Sequence, residues 1–192
     1  MRRVEVSLDL ANINTLEIRS TQHELYSDFT HLYEQSFPIF EQRTQAQQEF
    51  AFTQDQYHLQ CFVSNGSLLG FIAFWDLDTC WYVEHLAIAK ELRGQGYGQA
   101  LLRNFINKSP KSVLLEIDPL VDDVARARLR FYQHCGFVPN DFEHRHPHYR
   151  KDFQAHKLIV LTTKGTIIQT QYQAFNHDLC TLVMQHTPQW GL

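Results

Sequence analysis

Residues 81–106 read Trp81-Tyr82-Val83-Glu84-His85-Leu86-Ala87-Ile88, then Arg93-Gly94-Gln95-Gly96-Tyr97-Gly98, then a run in which Leu101, Leu102, Phe105 and Ile106 recur at helical spacing. A strand therefore passes through a glycine-rich loop into an amphipathic helix over residues 99–108. Glycines let backbone N–H groups close on a ligand, and a helix N-terminus presents partial positive charge, so an anion, most simply a pyrophosphate, belongs at this loop. A Walker loop would need a Gly-Lys-Ser/Thr ending, which is absent, and a dinucleotide fingerprint would need glycine where Gln99 stands. Glu116 and Asp118 do lie about 20 residues downstream, as a ribose-binding acid would. Yet some 90 residues precede the loop, which leaves a dinucleotide-dependent oxidoreductase as the weaker alternative.

Outward from this loop the elements follow one another without an internal repeat. On the N-terminal side, residues 15–19 read as a short strand, 22–36 and 44–52 as helices, and 59–63 with 68–75 as a hairpin. The hairpin turns at Asn65-Gly66, a dipeptide suited to the positive φ angles of a tight turn. Residues 1–14 alternate apolar and polar and could form an arm or an extra edge strand. Past the loop, 112–117 is a strand, and 122–135 is a helix with Asp122 and Asp123 in its acidic first turn and Gly136 at its C-terminal cap. Phe137 begins another strand, residues 140–156 form a polar histidine-rich loop, 157–162 is a strand and 167–185 a helix.

The 192 residues, 44 % hydrophobic and 20 % charged, fit one compact domain over 1–192, with residues 163–192 as a helical extension. A formal net charge of −4 lacks the basic stripe that binding nucleic-acid phosphates needs. Four cysteines, far apart and without a C-x-x-C pair, read as reduced thiols in a cytoplasmic protein. No apolar run reaches membrane-spanning length and no signal h-region follows Arg2 and Arg3, so no membrane partner is expected.

The pattern Arg93, Gly96, Gly98 after the strand 83–88, together with Leu129-Arg130-Phe131-Tyr132-Gln133-His134-Cys135-Gly136-Phe137, resembles the GNAT N-acetyltransferase superfamily over residues 15–162. The resemblance implies an α/β (α+β) fold: a central mixed, mostly antiparallel sheet of about six to seven strands, flanked by helices and splayed between the fourth and fifth strands. It also implies acetyl-CoA as co-substrate, with the acetyl group moving to an amine of a small molecule or protein by direct attack in a ternary complex. A non-catalytic acyl-CoA-binding module is the alternative, and a homodimer remains open.

On this resemblance, Arg93, Gly94, Gln95, Gly96, Tyr97, Gly98 and Gln99 hold the pyrophosphate, while Leu86, Ala87 and Ile88 pair with the pantetheine arm as an added strand. Tyr132 takes the position of the general acid, and a phenol can donate to a departing thiolate. Arg128 departs from the pattern, at a helix position often small in such proteins. A cation for the adenosine 3′-phosphate could come from Arg103, Lys108, Arg126 or Arg130.

Glu84 is the candidate base, because on a period-two strand it shares a face with Leu86 and Ile88. A strand carboxylate paired with a structural arginine is the other reading, and Tyr82, Glu116 and Asp118 are further candidates for the base. The turn 36–41 and the histidine-rich loop are expected to line the acceptor pocket, with Phe37, Phe40, Trp75, Trp81, Tyr82 and Tyr149 as walls and Glu41 as an anionic contact. His144-Arg145-His146-Pro147-His148 lacks the cysteine pair or H-E-x-x-H helix of a metal centre, so no metal is expected.

Overall fold

The computed structural model describes residues 12–185. The proposed arm at 1–14 thus lies mostly outside the described residues. Its end, Asn14, opens β1 (Asn14–Ile18), followed by α1 (Tyr26–Ser36), α2 (Gln45–Thr53), β2 (Tyr57–Ser64), β3 (Ser67–Asp76) and β4 (Cys80–Ile88). Then come α3 (Tyr97–Lys108), β5 (Ser112–Ile117), α4 (Asp123–His134), β6 (Val138–Pro139), β7 (His144–His146), β8 (His156–Thr162) and α5 (Gln169–Asp178).

The sheet runs β1-β2-β3-β4-β5-β8-β6, with β7 also paired to β8. Every neighbouring pair is antiparallel except β4 with β5. One apolar layer packs α1, α2 and α5 on one face of the sheet through Phe29, Phe52 and Phe175. A second packs α3 and α4 on the other through Leu102, Phe105 and Leu129. The mostly antiparallel sheet with a β4–β5 splay matches the expected architecture; the eighth strand is β7, which lies in the segment 140–156 expected to be a loop. Its side chains are polar, so no apolar alternation marks it, yet His144 and His146 are buried while Arg145 is exposed.

Local chemistry sets the boundaries. Asn65 and Gly66 adopt φ of 50° and 76° at the β2–β3 turn, as a two-residue hairpin of this hand requires. Thr44 caps α2 reciprocally: its hydroxyl accepts from the Gln47 amide at 3.2 Å and its own amide donates to Gln47 Oε1 at 2.7 Å. Helix α1 begins four residues later than the spacing predicts. Ser20 and His23 side chains accept the amides of Gln22 and Leu25, holding that stretch in turns. Helix α5 ends at Asp178, and a π-turn over Leu179–Val183 replaces the rest of the expected helix. That turn delivers the Val183 carbonyl to Arg43.

Two features of β3 and β4 shape the centre of the molecule. Opposite Ala73 and Phe74 the register shifts so that Glu84 is an extra residue in β4, a bulge that exchanges the two faces of the strand. Nearby, Gly70 pairs with Ile88, and a Cβ there would sit 2.5 Å from the Ala87 carbonyl oxygen. That atom is backbone and cannot swing aside, so Gly70→Ala should destabilise the fold by about 1–3 kcal/mol. Urea unfolding is the measurement; an unchanged midpoint would show that β4 is free to shift.

Candidate active site

Strand β4 pairs with β5 only from Cys80 to Val83, against Ser112 to Leu115. Beyond Val83 the two strands part, and β4 from the bulge to Ile88 keeps β3 on one side while its other edge is unpaired. Such an edge offers N–H and C=O groups to an extended ligand chain. The gap opens into a cleft of about 900 Å³ between β4, β5, the 36–41 turn, α4 and the segment after β7.

At one end of the cleft lies the glycine loop. Gly94 and Gly96 have φ of 74° and 88°, and Gly96 caps α3, whose first-turn amides have no carbonyl one turn back. Helix α3 starts at Tyr97, two residues before the spacing predicts. A Cβ on Gly98 would touch Ile88 and Phe131, so the loop, the end of β4 and α4 meet closely. The Arg93 guanidinium donates to the Ile88 carbonyl at 2.9 Å and to Ser36 Oγ at 3.1 Å, bracing the loop against β4 and α1. Gly94, Gly96, Gly98, Gln99 and Arg93 line the cleft. A diphosphate at the helix N-terminus and an extended arm along β4 both have fitting partners here.

Tyr132, half-buried on α4, lines the same cleft. Burial first, eased by the Arg128 charge, pushes its phenol up to about 12. The phenol therefore stays protonated and can donate. Arg128, the departure noted in the motif, pairs with Asp118 at 2.8 Å and borders the cleft without displacing Tyr132 from it.

Glu84 is differently placed than the strand period implies. Because the bulge falls at Glu84, this residue shares the α1-side face with Tyr82, whereas Leu86 and Ile88 pack with the α3-side cluster. Its fully buried carboxylate accepts from Trp75 Nε1 (2.8 Å), Tyr149 Oη (2.9 Å) and Arg43 Nη2 (3.1 Å), with Arg43 Nε 2.8 Å from Oε1. Burial alone would raise the carboxyl, but the Arg43 charge and these donors hold it down at about 2. Three hydrogen bonds and the ionic contact with Arg43 Nε engage both of its oxygens. The paired-arginine reading of Glu84 fits this geometry, and a base role does not.

Arg43 itself is buried, 7 % exposed, its guanidinium 5.5 Å from the Trp75 ring centre and 5.8 Å from that of Tyr149. Nothing in its local sequence marked it. The indole walls also move: Trp75 is core, and Trp81 packs on Phe74 and Phe105 under α3, so neither lines the cleft.

The other end of the cleft is lined by Phe37, Phe40, Glu41, Tyr82 and Tyr149, together with His146 and His156 from the histidine-rich segment and His85, which the sequence did not single out. Gln47 on α2 donates to the Tyr149 carbonyl at 2.7 Å and anchors the loop. His85 donates from Nε2 to the Glu41 carbonyl at 2.9 Å; burial, only partly offset by the Glu84 charge, lowers it to about 4 and leaves it neutral. The Glu41 carboxyl is pushed up to about 7 by burial and by Asp118, against the pull of Arg128. Glu116, fully buried, accepts from the Tyr82 hydroxyl at 2.6 Å and pairs with His144. Burial would raise its pKa, but the adjacent imidazoles of His146 and His144 and the bonds from His144 and Tyr82 lower it.

The cations suggested for a 3′-phosphate stand outside the cleft lining: Arg103 donates to the His134 carbonyl and Arg126 pairs with Asp123. Among the described residues, no three His, Cys, Asp or Glu side chains are arranged to hold a metal ion. The four cysteines are free, and no described helix is long and apolar enough to cross a membrane.

Comparison with known proteins agrees with this architecture. The family model "Acetyltransferase (GNAT) family" matches residues 22–137. YjbC of Bacillus subtilis (strain 168), an acetyltransferase by assignment, is 33 % identical over 105 residues, 53 % of this chain and 52 % of that protein. The match thus spans about half the length of that curated relative. A GNAT-family protein of Bacteroides thetaiotaomicron, likewise an acetyltransferase by assignment, superposes with a TM-score of 0.82 at 25 % identity, covering 89 % of this chain and 98 % of that one. A GNAT family acetyltransferase from Elizabethkingia anophelis, solved with acetyl-CoA bound, shares the fold at 16 % identity with a TM-score of 0.54, covering 79 % and 97 %. With the glycine loop, the splayed strands and a family match over 116 of 192 residues, the chain belongs to the GNAT acetyltransferase family, whose donor is acetyl-CoA.

Proposed function

We propose that the protein transfers an acetyl group from acetyl-CoA to a primary amine of a small molecule or protein, by direct attack with both substrates bound. The observation that carries this reading is the unpaired edge of β4 facing a cleft whose two ends differ: glycine-loop amides at one, buried acid–base groups at the other. The backbone around Gly94 to Gln99 holds the diphosphate, and Leu86, Ala87 and Ile88 pair with the arm that carries the thioester. The Leu86 amide is the donor proposed for the oxygen where negative charge develops.

Tyr132 serves the leaving sulfur. Its phenol, pushed up to about 12, is a weaker acid than a thiol near ~8.5. It therefore stabilises the thiolate by donating a hydrogen bond, and full proton transfer to sulfur is drawn from the acceptor nitrogen or water. Glu41, without a side-chain cation partner among the described residues, supplies the anionic contact for an ammonium group, flanked by Phe37 and Phe40. A bound cation would lower its raised pKa, so binding of a cationic acceptor takes up no proton at pH 8 and releases one from the protonated fraction near pH 7.

The test is turnover with acetyl-CoA and a panel of primary amines, following free thiol and the acetylated product by mass spectrometry. Expected is an N-acetyl product with matching thiol release. Donor binding without turnover by any amine would favour the non-catalytic acyl-CoA-binding module instead.

A further inference from the structure

His146 is an unusual histidine. It lies on β7 with 2 % of its surface exposed, borders the cleft, and stacks on Tyr149 at 5.1 Å between ring centres. Its Nδ1 is 2.6 Å from the Pro147 carbonyl oxygen. A carbonyl only accepts, so Nδ1 must carry the hydrogen, and in the neutral ring Nε2 is then a bare lone pair. That Nε2 is buried and has no hydrogen-bond partner. Orphaned buried polar atoms are costly and ask for a partner that arrives later. The carboxylate nearest to it, Glu116 Oε2, lies 3.9 Å away, too far for a hydrogen bond with Nε2 but close enough to stabilise an imidazolium.

We infer that His146 Nε2 accepts a proton from the acceptor ammonium group, with Glu116 as the positioning residue that steadies the resulting imidazolium. This rests on the amine-acetylation reading above and names its base. The balance closes as follows: of the two protons the ammonium nitrogen sheds, one passes to His146 and then to water, and the other ends on the coenzyme A thiol. The C–N bond forms as the C–S bond breaks.

Three other bases near the cleft are already engaged. Glu84 is saturated by Arg43, Trp75 and Tyr149. The His85 Nε2 already donates to a carbonyl, and Glu116 is occupied by Tyr82 and His144. Around His146 the groups that titrate or carry charge are Glu116 on β5, His156 on β8, His144 on its own strand, His85 on β4 and Tyr149 beyond it.

Two measurements test the inference. In ¹⁵N-edited spectra of the ligand-free protein, assigned by difference with His146→Gln, neutral His146 should be the Nδ1–H tautomer; an Nε2–H tautomer would overturn the proposal whether or not any amine turns over. In kinetics, His146→Gln should lower kcat/KM for a protonated alkylamine by about 10²–10⁴-fold. It should lower that for a weakly basic arylamine, which arrives neutral, far less, with acetyl-CoA affinity retained. An equal loss for both amines points to a structural role and sinks the inference, as does no loss for either. Wild type that acetylates no amine refutes the broader reading instead.

Discussion

Removing either member of the Arg43–Glu84 pair, as Arg43→Met or Glu84→Gln, should cost about 3–5 kcal/mol of folding stability, because each leaves a buried group with its partner gone. The pair joins α2's leading turn, β4 and the π-turn after α5 through Arg43 Nη2 and the Val183 carbonyl, so three separate parts of the chain loosen together. The double variant Arg43→Met/Glu84→Leu should be less damaged than the sum, since no uncompensated charge remains. The acid side carries a second signature. The Glu84 carboxyl is lowered from 4.5 to about 2 in the folded state. Its contribution is therefore fully present above pH 4.5 and is lost as pH falls through about 2; Glu84→Gln should flatten that part of the stability profile. Urea titrations at several pH values measure both effects, and single-variant losses below about 1 kcal/mol would show that water reaches the pair.

With Tyr132 in the proposed role, Tyr132→Phe should lower kcat by roughly 10²-fold or more while leaving acetyl-CoA affinity nearly intact, because a bond to the leaving sulfur forms only as negative charge gathers there. The ring keeps its apolar contacts with Phe131 and Phe137 at centroid distances of 5.1 and 5.7 Å, so the fold should be spared. Steady-state kinetics alongside calorimetric titration of acetyl-CoA separates the two effects. Turnover equal to wild type would remove Tyr132 from the mechanism and leave the thiolate to solvent.

Much of the molecule was legible in the sequence because local rules govern it. Hairpin β2–β3 follows from Asn65-Gly66, and α4 from Asp122, whose carboxylate accepts the Ala125 amide at 2.7 Å. The glycine loop was equally readable, since positive φ at Gly94 and Gly96 is a backbone need that few other residues meet. Strand β7 escaped notice because its inward residues are histidines, His144 bonded to Glu116 and His146 stacked on Tyr149, so no apolar alternation marks it.

The amino-acid order by itself determined the strand–glycine loop–helix and the helix that carries Tyr132, because turns, caps and periodicity act between near neighbours. Only the tertiary structure decided which acid–base groups are free to work. One inserted residue at Glu84 turns that carboxylate onto the other face, where Arg43, distant by 41 positions, claims it. The same folding brings His146 beside Glu116 with a nitrogen unclaimed. Burial and long-range pairing set the protonation of these groups, and neither is written in any short stretch of the chain.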